Sequence, residues 1–119
     1  MIFIVVKFDV ARRYRESWMY ITKEFTAATR AEPGNLWFEW SRSLEKPSEY
    51  VLVEAFQDQR ASVAHVNSEH FRAGLAAMRP ALTQTPQIIH TEILSDGWAA
   101  MGELQIEPAI SHNGARPEH

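Results

Sequence analysis

The sequence contains no cysteine, which removes thiol nucleophiles, disulfides and thiolate metal sites and fits a reducing cytoplasm. An excess of one charge is missing as well. Twelve Lys and Arg stand against 15 Asp and Glu, a formal net charge of −3 spread along the chain. No basic block exists to neutralise phosphates, so nucleic acid is not an expected partner. Long apolar runs are absent too. The opening Met1-Ile2-Phe3-Ile4-Val5-Val6 meets Lys7 and Asp9 at once, too short for a signal core or a membrane span. The expectation is a soluble cytoplasmic protein with no membrane partner. There is no Gly-x-Gly-x-x-Gly, Walker loop or Gly-x-Ser-x-Gly elbow, so dinucleotide, phosphate-cradle and serine-hydrolase sites find no support.

What is present suits one domain: 119 residues bury roughly two-thirds of their unfolded surface, enough for a single core. Ile2, Ile4, Val6, Phe8 and Val10 alternate with Phe3, Val5, Lys7 and Asp9, the period of a strand. Tyr14, Trp18, Ile21, Phe25 and Ala28 recur every three or four residues, one stripe of a helix from about Arg12 to Ala31 that Pro33-Gly34 stops. Residues 35–43 and 49–57 read as a hairpin across the polar turn at Pro47. Asp58 is placed to cap one short helix and Ser68 a second, which runs to Arg79. Residues 87–94 form a fourth strand, 98–104 a short fifth strand or arm, and 105–119 a flexible tail after a domain of 1–104.

The order β-α-β-β-α-β is that of the ferredoxin-like split βαβ fold, an α+β architecture on an antiparallel sheet. Both helices then lie on one face of the sheet. The other face, with Phe3, Val5 and apolar hairpin residues, exceeds what a monomer usually leaves open, so a homodimer is expected.

Chemistry concentrates in His65-Val66-Asn67-Ser68-Glu69-His70-Phe71. His65 and His70 stand roughly 140° apart on a continuous helix, but a break at Asn67-Ser68 brings them together. Imidazole suits general acid/base work near neutral pH. The plainer alternative has both rings bridging a helix junction to solvent and backbone. Their spacing is not that of a helical zinc pair and no third ligand is evident, so no metal is expected. Glu54 sits among Leu52, Val53, Ala55 and Phe56; buried, it becomes a base of raised pKa, and otherwise it pairs with a cation such as Lys7 or Arg42. Trp37, Trp40, Phe56, Phe71 and Trp98 either line a pocket for a planar ligand or simply fill the core.

Four stretches in order resemble the antibiotic biosynthesis monooxygenase family: Met1 to Val10, Ala31-Glu32-Pro33-Gly34-Asn35, Glu49 to Phe56, and Ala64 to Phe71. The similarity covers about residues 1–94 and is nearest to the quinol monooxygenase branch. It implies a dimeric α+β barrel that oxidises a small phenol or hydroquinone with O₂, using no cofactor. It also implies a dry pocket in which His65, His70 and Glu54 are catalytic while Asn67, Trp37 and Phe71 shape the substrate site. The places that serve haem degradation in another branch hold Lys7, His65 and Leu75, with no iron-ligating histidine, so that activity is disfavoured. A cofactor-free isomerase and a non-catalytic dimeric ligand-binding module are the alternatives.

Overall fold

The computed structural model describes residues 1–108. Its elements are β1 (Ile2–Asp9), a 3-10 turn (Arg12–Ser17), α1 (Trp18–Ile21), α2 (Lys23–Arg30), β2 (Asn35–Arg42), β3 (Glu49–Phe56), α3 (Gln59–Val66), α4 (Glu69–Met78), a 3-10 turn (Arg79–Ala81), β4 (Gln87–Glu92) and a last 3-10 turn (Gly102–Leu104). The strands form one antiparallel sheet in the order β2-β3-β1-β4. The expected α+β ferredoxin-like fold is therefore present. Among the described residues no helix is long and apolar enough to cross a membrane.

Alternation along β1 works as the period-two reading requires. Ile2, Ile4, Val6 and Phe8 are buried beneath the helices with Phe38, Tyr50, Leu52 and Phe56. Pairing of Ile4 with Glu54, and of Phe38 with Glu54, puts the Glu54 side chain on this same helix-covered face. Aromatic rings fill much of the core: Phe8, Trp18 and Trp40 lie within 5.3–5.7 Å of one another, centroid to centroid.

Three details differ from the sequence reading. The single helix from Arg12 to Ala31 is instead a 3-10 turn and two helices that break at Thr22. Buried Thr22 turns its hydroxyl back to donate to the Trp18 carbonyl at 3.0 Å, a competing bond that bends helices. The buried stripe consequently includes Thr22, Thr26 and Thr29, with Trp40 Nε1 donating to the Thr26 hydroxyl at 2.9 Å. On β2 a bulge between Asn35 and Trp37 takes Leu36 out of line with Phe38, and the Asn35 amide donates to the Trp37 and Ala55 carbonyls there. Finally, 98–104 is not a fifth strand: only the turn at Gly102–Leu104 is regular. Without a neighbouring strand in the chain it has no ladder to join. Residues 105–108 carry no regular structure, and the rest of the expected tail lies outside the described residues.

Candidate active site

The helix junction decides the site. Ser68 both closes α3 and opens α4: its hydroxyl donates to the His65 carbonyl at 2.6 Å and accepts from the Phe71 amide at 3.1 Å. This double cap redirects the chain, so the two histidines that a straight helix would splay apart converge. They converge on Glu32. One carboxylate oxygen, Glu32 Oε2, takes the Nδ1–H of His65 at 2.7 Å and the Nε2–H of His70. An oxygen can accept from two rings only if each ring presents an N–H, so both tautomers are set by this one contact.

Glu32 reaches the junction because of the turn that follows α2. Its amide closes on the Thr29 carbonyl at 3.0 Å, and the Gly34 carbonyl accepts from the Gln57 amide at 2.9 Å. Gly34 is buried against the first turn of α3, and any side chain there would overlap the Ala61 methyl group. Glycine is required at this position so that the loop bearing Glu32 can lie directly on the helix bearing His65.

Behind His65 lies Glu54. His65 Nε2 stands 3.9 Å from Glu54 Oε1, and that oxygen is buried with no hydrogen-bond partner among the described residues. Among the described residues no cation is paired with it: Lys7 points to the opposite face, and Arg42 pairs with Glu16 at 3.0 Å. Burial, with the Glu32 charge second, pushes the Glu54 pKa up to about 7. Burial likewise lowers the His65 pKa and outweighs the hydrogen bond and charge of Glu32, which raise it; the nearby His70 lowers it a little further. Near neutral pH the buried pair therefore tends toward a neutral ring beside a half-protonated acid.

The surroundings of His65 are filled rather than hollow. Phe25 stacks on it at 5.8 Å, and Phe56 and Phe71 lie at 4.8 and 5.1 Å. His70, by contrast, is 30% exposed and opens into a groove of about 540 Å³ between α1, α2 and α4, whose walls include Tyr20, Ile21, Phe25, Ala73 and Gly74. Its Nδ1 has no hydrogen-bond partner among the described residues. A second hollow of about 460 Å³, between Phe8 and the 82–86 loop, touches none of the four polar residues.

Of the six side chains singled out from sequence, His65, His70, Glu54 and Phe71 lie together. Trp37 does not join them. It occupies the opposite face of the sheet, its ring 5.6 Å from that of Trp98, because a strand sends successive side chains to opposite sides. Asn67 is exposed at the α3–α4 junction. Sequence reasoning passed over Glu32 itself, although it lies in one of the four matching stretches. Its signal was positional: an acid in the turn closing a helix, just before Pro33-Gly34.

Glu32 is also the third potential metal ligand that the histidine spacing alone had not suggested. Candidate ligand atoms of Glu32, His65 and His70 lie within 4.8 Å of one another. Yet the shared oxygen sits at hydrogen-bond distance from both rings. The three side chains are joined by these contacts as a hydrogen-bonded relay.

Comparison with known proteins agrees with this architecture. The family model for antibiotic biosynthesis monooxygenase matches residues 1–77. A curated relative named "Putative monooxygenase YcnE" from Bacillus subtilis (strain 168) is 23% identical over 93 residues, 78% of this chain and 98% of its own length. Among solved structures, the Rv0793 protein of Mycobacterium tuberculosis superposes with a TM-score of 0.73 at 21% identity, covering 82% of this chain and 98% of that one. A structure described as "Putative antibiotic biosynthesis monooxygenase from Nitrosomonas europaea" matches with a TM-score of 0.73 at 21% identity, over 80% and 100% of the respective chains.

Proposed function

This chain belongs to the antibiotic biosynthesis monooxygenase family, and on that premise we propose that it is a cofactor-independent monooxygenase oxidising a small phenol or hydroquinone with O₂. The observation that carries the reading is the Glu32 carboxylate bridging two imidazoles, one of which opens on a groove. A carboxylate that holds the Nε2–H of His70 leaves the Nδ1 lone pair without a partner among the described residues, as in an oriented general base. A phenol in the groove loses its hydroxyl proton to His70 Nδ1. The resulting phenolate is electron-rich enough to pass electrons to O₂ directly, and oxygen then bonds to a ring carbon as a hydroperoxide. Loss of that carbon's hydrogen with departure of hydroxide, reprotonated to water, leaves a quinone. One C–H and one O₂ become one C=O and one water, the phenolic proton being the second hydrogen of that water.

The test is oxygen consumption by the purified protein across a panel of hydroquinones, set against a His65→Ala, His70→Ala double variant. Uptake that the double variant loses is the expected result. If the two proteins consume oxygen equally, the reading fails, and histidine-dependent proton exchange of a substrate without oxygen would favour the isomerase.

The working unit in this proposal is a homodimer that buries the open face of the sheet. Phe3, Val5, Val51, Val53 and Trp37 lie on that face, β4 is exposed along its whole length, and Ile89 is 67% exposed. Beyond it, Leu94, Trp98, Met101, Leu104 and Ile106 are all exposed on a segment that reaches the face through the Trp98–Trp37 contact. So much uncovered apolar surface calls for a second copy. Sedimentation velocity should give one species of twice the 13.6 kDa chain mass; a stable monomer at micromolar concentration would refute the dimer.

A further inference from the structure

We infer that Glu54 and His65 hold one proton between them, and that its position sets how firmly Glu32 supports His70. The inference rests on the reading of His70 as the base. Its geometric ground is a continuous line of polar atoms running from the groove into the core. His70 Nε2 meets Glu32 Oε2, that oxygen meets His65 Nδ1 at 2.7 Å, and His65 Nε2 faces Glu54 Oε1 at 3.9 Å. Among the described residues Glu54 Oε1 has no hydrogen-bond partner, and both side chains are all but sealed from water, 8% and 4% exposed. A buried carboxyl oxygen without a partner is costly. The His65 ring is placed to satisfy it, once a side-chain rotation closes the roughly 1 Å separating this gap from a hydrogen bond.

Two arrangements of the shared proton follow, with the same total charge. In the first it is on Glu54: the acid is neutral, His65 is a neutral ring, and Glu32 keeps its negative charge available to His70. That state favours capture of the substrate proton. In the second, the proton has crossed from Glu54 Oε1 to His65 Nε2, leaving a carboxylate and an imidazolium. The imidazolium bonds Glu32 through Nδ1–H, neutralises it, and loosens its hold on the His70 ring. His70, if protonated, then gives its proton up more readily, as the departing hydroxide requires. No electron moves in this step. Glu54 and His65 never touch the substrate, so their role is positioning.

Few other charges bear on the pair. Glu32 comes from the loop after α2 and His70 from α4, while α2, β1 and β2 present Phe25, Ile4 and Phe38. His90 follows Ile4 in the same cross-strand row but is exposed on β4. Lys23 and Glu24 lie on the wall of the groove near His70.

The experiment needs neither substrate nor oxygen and so stands apart from the test of the monooxygenase. Difference infrared spectra of the full chain, recorded from about pH 5 to about pH 9 across the ordinary histidine range, should show the C=O stretch of a neutral carboxylic acid that fades as pH rises and is missing from Glu54→Gln. Over the same range, NMR of the imidazole rings should show inflections in both His65 and His70 that coincide with this fading. In Glu54→Gln the coincident inflection in His70 should vanish. If wild type has neither such a band nor the signal of a His65 imidazolium over this range, the shared proton does not exist. If the band is there but the His70 signals are the same in both proteins, the line through Glu32 does not transmit, and the proposal is overturned. The wild-type spectra alone decide the first point, whatever the folding of the variant.

Discussion

Replacing Glu32 with Gln is expected to reduce hydroquinone-dependent oxygen consumption by about 10²–10⁴-fold, the range that a positioned base and its orienting partner supply. The substitution is nearly isosteric, so the loop still lies against α3. What changes is chemical. The amide oxygen can still occupy the position shared by the His65 and His70 rings and accept from both, but it is neutral and stabilises no imidazolium. Both contacts weaken together, and His70 loses the negative charge that orients its ring and favours its protonation. Two hydrogen bonds lose their charged acceptor, which should lower the unfolding free energy by roughly 1–3 kcal/mol. The same change acts on the groups behind. Glu32 is the second cause of the raised Glu54 pKa, after burial, so its removal moves Glu54 part of the way back toward an ordinary acid. For His65 the sense is opposite: without Glu32 nothing opposes burial, and its pKa falls further. Activity, urea unfolding and NMR titration together check these outcomes. Undiminished oxygen consumption in Glu32→Gln would mean that the carboxylate between the rings is not part of the catalytic machinery.

Glu54→Gln should make the protein more stable, and more so as the solution becomes alkaline. The carboxyl of Glu54 is raised from 4.5 to about 7 in the folded chain. Between those values the folded state binds the proton that the unfolded state has released, so stability falls as pH rises through this window. Above it the full cost of holding a buried carboxylate is present, roughly 3 kcal/mol at 1.36 kcal/mol per pKa unit. Glutamine keeps the shape and never ionises. Its advantage should be about 1 kcal/mol near pH 5 and reach roughly 3 kcal/mol near pH 8. His65 contributes with the other sign. Its lowered pKa means that stability is lost as pH falls below its ordinary 6.5, but this is largely common to both proteins and mostly cancels in their difference. Denaturant midpoints at the two pH values measure the effect. A constant difference would show that Glu54 does not change its ionisation on folding. A gain in stability paired with lost function is what a group retained for chemistry, at a cost to the fold, should display.

Strand positions, the two caps at Asp58 and Ser68, and the ferredoxin-like order were all legible from residue pattern, because periods of two and 3.6 and the need of a helix end for a side-chain acceptor are local rules. The bend at Thr22 was less visible. It depends on a hydroxyl choosing its own helix's carbonyl once buried, while Thr26 is buried with its hydroxyl accepting from Trp40 and Thr29 is buried with no partner for its hydroxyl among the described residues.

The site divides along the same line. That His65 and His70 flank a break, and that Glu54 sits in an apolar strand, was set by the order of residues alone. Whether the two rings meet, what they meet on, and which face of the sheet receives Trp37 were settled only when distant segments packed. Glu32 is separated from His65 and His70 by 33 and 38 positions, and no periodicity reaches that far. It was brought to them by a glycine small enough to let one loop rest on one helix, and the pKa of Glu54 followed from the burial that packing imposed. Local geometry is encoded residue by residue, whereas charge proximity and desolvation are properties of the assembled interior.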